Sequence, residues 1–172
     1  DMAIFYFAGH GETAEEEWYF VPHEVTEPES DKVLSQGGLS RQFLQDLLKK
    51  LPAQKVLVLL DACKSGAAAS GTRGIVDRRA IMNLARSTGT YVVAASGADQ
   101  LAAEVPMLGH GVFTWTLLEG LAGKAGDKRI TAESLITYVK NTMPDVSEKY
   151  RGRPQFPVSW GGGSDFALVM RE

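Results

Sequence analysis

The chain has 172 residues, 44% apolar, 23% charged and 9% aromatic, which is enough to bury a full core in one globular domain without staples. Its one cysteine, Cys63, excludes an internal disulfide framework and fits a reducing, cytoplasmic setting, and no Cys/His spacing suggests a metal site. A net charge of −3 gives no electrostatic case for nucleic acid or an anionic membrane, and no apolar run has the length of a membrane span or the form of a signal peptide.

The sequence starts at Asp1 and enters an apolar run at once, which reads as a fragment or processed product. That run, Met2 to Ala8, carries aromatics and stops at Gly9-His10-Gly11, as expected of a strand buried on both faces. An acidic stretch (Glu12, Glu15, Glu16, Glu17) follows, of which Glu15–Glu17 read as a solvated face. It leads to Trp18–Val21, a small strand or hairpin arm closed by Pro22. Residues 24–38 are rich in Glu, Pro, Ser, Asp and Gly and read as a surface loop.

From Leu39 the period changes. Leu39, Phe43, Leu44, Leu47, Leu48 and Leu51 form one helical stripe behind a Ser40 cap, and Pro52 ends it. Lys55–Leu60 is a second buried strand that runs into Asp61-Ala62-Cys63. A loop of small residues and Gly with Arg73, Arg78 and Arg79 follows, then a helix over about 79–86 and a third buried strand, Tyr91–Ala95. Ser96–Gly111 reads as a long loop. Val112–Leu118 opens a helix that stops near Gly120–Gly123, and another starts behind Thr131 and buries Leu135, Ile136, Val139 and Met143 before Pro144. The tail, 157–160 and 166–169, supplies a last edge strand. Strands alternating with helices predict an α/β domain over 1–172, a mainly parallel sheet with helices on both faces.

In such sheets reactive groups collect beyond the carboxyl ends of the strands. The pattern puts His10 on the turn after the first strand and Cys63 on the turn after the second. If these strands are neighbours, imidazole meets thiol, the pairing a cysteine nucleophile needs because the thiolate is the attacking species. Gly9, Gly11 and Gly66 flank the two and allow close backbone approach. A lone cysteine at a strand end is otherwise a small core residue. His110 also sits in a Gly-His-Gly, but it precedes a helix, so a loop end explains it better; His23 reads as a surface residue.

Phe5-Tyr6-Phe7-Ala8-Gly9-His10-Gly11 and Asp61-Ala62-Cys63-Lys64-Ser65-Gly66 resemble the two signature segments of caspase-like cysteine peptidases, closest to the metacaspase and bacterial caspase-like branch. The 53 positions from His10 to Cys63 agree with a caspase spacing of roughly 50. Asp-Ala-Cys in place of the caspase Gln-Ala-Cys points to metacaspases. Similarity continues through Ala95–Gln100 and Gly109–Thr114, so it covers nearly the whole chain.

The resemblance implies a protease in which Cys63 is the nucleophile of a thioester acyl-enzyme and His10 its acid/base partner, a dyad acting on protein or peptide substrates. It gives the oxyanion to the N–H groups of Gly11 and Cys63. Asp61, two before the nucleophile, would line the pocket for an Arg or Lys preceding the scissile bond, with Asp99 as a second wall. Read without it, Asp61 is a carboxylate bonding nearby backbone N–H groups. The loop with Arg73, Arg78 and Arg79 is either solvated or the protein's own processing site. No cofactor is implied; some metacaspases need calcium, and no oxygen-rich loop of known spacing decides the matter. The family suggests a regulated effector in programmed death or defence. It also opens with an additional strand and helix before the His-bearing strand, so the resemblance implies an open position in the sheet, filled by an N-terminal segment or another domain or chain. The rival readings are an inactive caspase-like scaffold that binds a partner, and another Cys-His enzyme such as an acyltransferase or separase-like relative.

Overall fold

A computed structural model of the chain describes residues 1–14, 17–28, 30–64, 82, 85–86, 88–95, 104–161 and 164–172. Strand β1 (Met2–Ala14) pairs in parallel with β4 (Lys55–Lys64), and β4 in parallel with β5 (Tyr91–Ala94). Antiparallel strands flank this centre: β2 (Glu17–Val21) beside β1, β3 (Leu39–Ser40) beside β2, and β9 (Val158–Trp160) beside β5. The sheet order is β3-β2-β1-β4-β5-β9, a mixed α/β sheet whose centre is parallel as expected.

Alternation along the central strands divides the core in two. Leu57 and Leu59 of β4 and Tyr91 and Val93 of β5 pack under helices α3 (Val112–Glu119) and α4 (Ala132–Arg151), through Phe113, Leu117, Leu135, Val139 and Met143. Val56, Val58 and Leu60 of β4, with Val92 and Ala94 of β5, face Leu44 and Leu48 of α2 (Arg41–Lys50) on the other side. Period-2 strands buried on both faces need cover from both sides, and the helical stripes supply it.

Several local expectations change. Residues 24–38 are not all loop: α1 (Asp31–Gly37) forms there because Leu34 buries itself against Ala14 and Val25. Ser40 does cap α2, its Oγ accepting from the Phe43 N–H at 3.0 Å. The stripe behind it is narrower than read, since Leu39 belongs to β3 and Phe43 and Leu47 are exposed. Of the helix expected at 79–86, Met82, Ala85 and Arg86 are helical and the other positions lie outside the described residues. The 96–111 loop contains a small ladder between β6 (Glu104–Val105) and β7 (His110–Gly111). Helix α4 does not stop at Pro144 but runs to Arg151. Its buried row Leu135, Val139, Met143 and Ser147 outweighs the roughly 3 kcal/mol an interior proline costs. The tail gives two strands in different sheets, β9 at the main edge and β10 (Ala167–Met170), which pairs with β8 (Arg129–Thr131).

β2 pairs only with the outer half of β1, His10–Ala14. Among the described residues no strand pairs with that edge of β1 between Met2 and Gly9.

Candidate active site

The β1–β4 register sets the site. Tyr6 pairs with Leu59, Ala8 with Asp61 and His10 with Cys63, and the ladder ends at Gly11–Lys64. Paired positions in a parallel ladder share a face, and neighbouring strands run about 4.8 Å apart. His10 and Cys63 are therefore adjacent positions at the carboxyl ends of adjacent parallel strands. They do not lie on the turns leaving those strands, as the pattern suggested, but within the strands. The cause is pairing: β2 folds back on His10–Ala14 and keeps β1 extended, and β1 in turn carries β4 on to Lys64.

This face is covered over β4 and β5 but open over β1. Ala8 and His10 are exposed, and Tyr6 remains 46% exposed. The opposite face of the same strand holds the aromatic cluster. Phe20 makes edge-on contacts with Phe7 and Trp18 at centroid distances of 4.3 and 4.1 Å, which clamps β2 against β1. Glycine at position 11 belongs to that clamp, since a Cβ there would lie 2.7 Å from Trp18 Cζ2.

Asp61 is buried, and its Oδ2 accepts a 2.5 Å hydrogen bond from the hydroxyl of Thr114, three residues into α3. The Thr114 hydroxyl has one proton, so the 2.7 Å contact between Tyr6 OH and Thr114 Oγ1 is donated by Tyr6. The result is a directed chain, Tyr6 to Thr114 to Asp61, in which each donor strengthens the next. Gly111, the N-cap of α3, offers no side-chain acceptor, and the carboxylate from β4 occupies that end of the helix instead. Burial raises the Asp61 carboxyl above its ordinary range, and the hydroxyl and backbone N–H of Thr114 hold it down in part.

The other expected residues divide. Asp99, Gly66, Arg73, Arg78 and Arg79 lie outside the described residues. His110 is exposed on β7 directly ahead of α3, and His23 is exposed in a turn. Glu17, read as part of a solvated acidic face, accepts from Arg41 at 3.2 Å and from the Gln42 N–H at 3.3 Å. Thr114 and Tyr6 were not singled out from the sequence. The available signal was a helix opening on Gly111 without a capping side chain, with Thr114 in its first turn. Among the described residues no group of three His, Cys, Asp or Glu side chains could hold a metal, and no helix is long and apolar enough to cross a membrane.

Compared with models of protein families, the chain matches the caspase domain over residues 1–159. A search among curated proteins finds no match.

Proposed function

The chain belongs to the caspase-domain family, a family of cysteine peptidases, and on that premise we propose that it is an endopeptidase cutting after Arg or Lys with Cys63 and His10. The observation that carries this reading is the register pairing of His10 with Cys63 at the carboxyl ends of two parallel strands. An imidazole one strand away from a thiol can take its proton and leave the thiolate to attack the scissile carbonyl. The tetrahedral oxyanion would be held by the N–H groups of Gly11 and Cys63; Gly11 stands at the last pair of the ladder. As the C–N bond breaks, His10 returns the proton to the leaving amine. It then draws a proton from water, which hydrolyses the thioester and frees Cys63.

Specificity in this reading rests on Asp61. The hydroxyl and backbone N–H of Thr114 take two of the roughly four acceptor positions a carboxylate offers, which leaves capacity for a guanidinium or ammonium. Asp99 is the proposed second wall. Arg73, Arg78 and Arg79 are proposed as sites where the enzyme cuts itself, in keeping with a regulated effector. Peptides differing only in Arg, Lys or Asp before a fluorogenic leaving group test the proposal. Turnover is expected with Arg and Lys and absent in a folded Cys63→Ala protein. Preferential cleavage after Asp would overturn the specificity, and turnover surviving in Cys63→Ala would overturn the catalytic assignment.

A further inference from the structure

Tyr6 has no part in the chemistry proposed above, yet it lies on the same face of β1 as His10, one paired position from Asp61. Tyr6, Ala8 and His10 step along one face of β1, opposite Leu59, Asp61 and Cys63 on β4. Ala8, the position across from Asp61, is small and exposed, so the space between the Tyr6 ring and His10 is unfilled by this strand. A substrate side chain entering beside His10 would cross Ala8 and reach the Asp61 carboxylate. There it meets Tyr6, whose hydroxyl is one hydrogen bond from Thr114 and two from Asp61.

The tether has a consequence for a half-exposed ring. An exposed tyrosine ordinarily samples several rotamers, but this one is held by its hydroxyl at 2.7 Å to a threonine in the first turn of α3. Its ring is thereby fixed beside the carboxylate with nearly half its surface open to solvent. A guanidinium is planar, weakly hydrated and stacks on aromatic faces, whereas an ammonium is a compact, strongly hydrated point charge. A carboxylate alone attracts both.

We propose that Tyr6 is a specificity-determining residue of the Asp61 pocket, a fixed aromatic wall that favours arginine over lysine before the scissile bond. The proposal rests on the reading of Asp61 as the group that pairs the substrate's cation. Tyr6 would contribute contact area and a stacking face, and Thr114 would act as a positioning residue that holds both Tyr6 and Asp61.

The test is the ratio of kcat/KM for two peptides differing only in Arg or Lys, measured for the wild type, Tyr6→Leu, Tyr6→Phe and Asp61→Asn. Alkylation of Cys63 by iodoacetamide serves as a control for an intact nucleophile. In Tyr6→Leu the Arg/Lys ratio is expected to fall by about three- to thirtyfold, with the alkylation rate unchanged. Tyr6→Phe keeps the ring and loses the tether, and is expected to fall between wild type and Tyr6→Leu. A purely structural role would lower both substrates together and leave the ratio unmoved; a wild-type ratio in Tyr6→Leu overturns the proposal. Should Tyr6→Leu fail to fold, Tyr6→Phe decides, and a wild-type ratio there likewise overturns it. Asp61→Asn separates the two levels. If it cleaves Arg and Lys peptides as well as the wild type, the Asp61 reading itself falls. If it abolishes cleavage of both peptides while Tyr6→Leu keeps the Arg/Lys ratio, only the role of Tyr6 falls.

Discussion

Asp61 of β4 accepts a 2.5 Å hydrogen bond from Thr114 of α3, so one carboxylate closes a helix end and lies two residues before Cys63. The observed cap and the proposed pocket make different demands on it. Capping needs an acceptor oxygen, and binding a guanidinium needs a charge. Asp61→Asn keeps an acceptor and loses the charge, so its thermal midpoint is expected to stay near wild type while cleavage after Arg collapses. Asp61→Ala loses both and leaves Thr114 without its acceptor, and is expected to cost about 1–3 kcal/mol in chemical denaturation as well.

The raised Asp61 carboxyl gives a pH dependence with a definite sign. Burial is the main cause, and it favours the protonated acid in the folded chain. The native state then holds this proton more tightly than the unfolded chain. Asp61's contribution to stability is full below its unfolded pKa and is lost as pH rises through the raised native value. The proposed cleavage after Arg should run the other way, because a pocket that pairs a cation needs the ionised form. The acid limb of kcat/KM for Arg peptides is expected above the ordinary aspartate range and to vanish for peptides with a neutral residue at that position.

Gly11 ties the aromatic clamp to the proposed dyad. A methyl group there would meet the Trp18 indole at 2.7 Å and force the ring or the strand aside. Gly11→Ala is expected to destabilise the fold by about 1–3 kcal/mol. Because Gly11 adjoins His10, kcat should fall further than stability alone explains. Trp18→Leu in the Gly11→Ala background opens space for the methyl group, and the double variant should lose less stability than the sum of the two separate losses.

Pro144 lies inside α4, where it removes one backbone donor from a helix that continues for seven more residues. Pro144→Ala restores that donor and should stabilise the chain, by up to about 2 kcal/mol once the greater freedom of the unfolded chain is set against it. Urea denaturation measures the gain, and peptidase turnover should not change.

The paired central strands, both covering layers and the order of His10 before Cys63 were legible because they rest on patterns that burial enforces locally. Tyr91–Ala94 and Lys55–Leu60 could hardly be anything but covered strands. What escaped was decided at a distance. His10 stays in a strand because β2 returns to pair with it, α1 exists because Leu34 finds Ala14 and Val25, and α4 survives Pro144 because its buried row faces the sheet. The Tyr6–Thr114–Asp61 chain joins residues 53 and 108 positions apart and has no local signature in either segment.

The most direct measurement is mass mapping of the adduct formed with a peptidyl-arginyl chloromethyl ketone, for the wild type, His10→Ala and Asp61→Asn. One adduct is expected, on Cys63, formed more slowly in His10→Ala by a factor of about 10² or more and poorly in Asp61→Asn, with the aspartyl analogue unreactive. No adduct on Cys63, or labelling there at the same rate without His10, would contradict the proposed dyad.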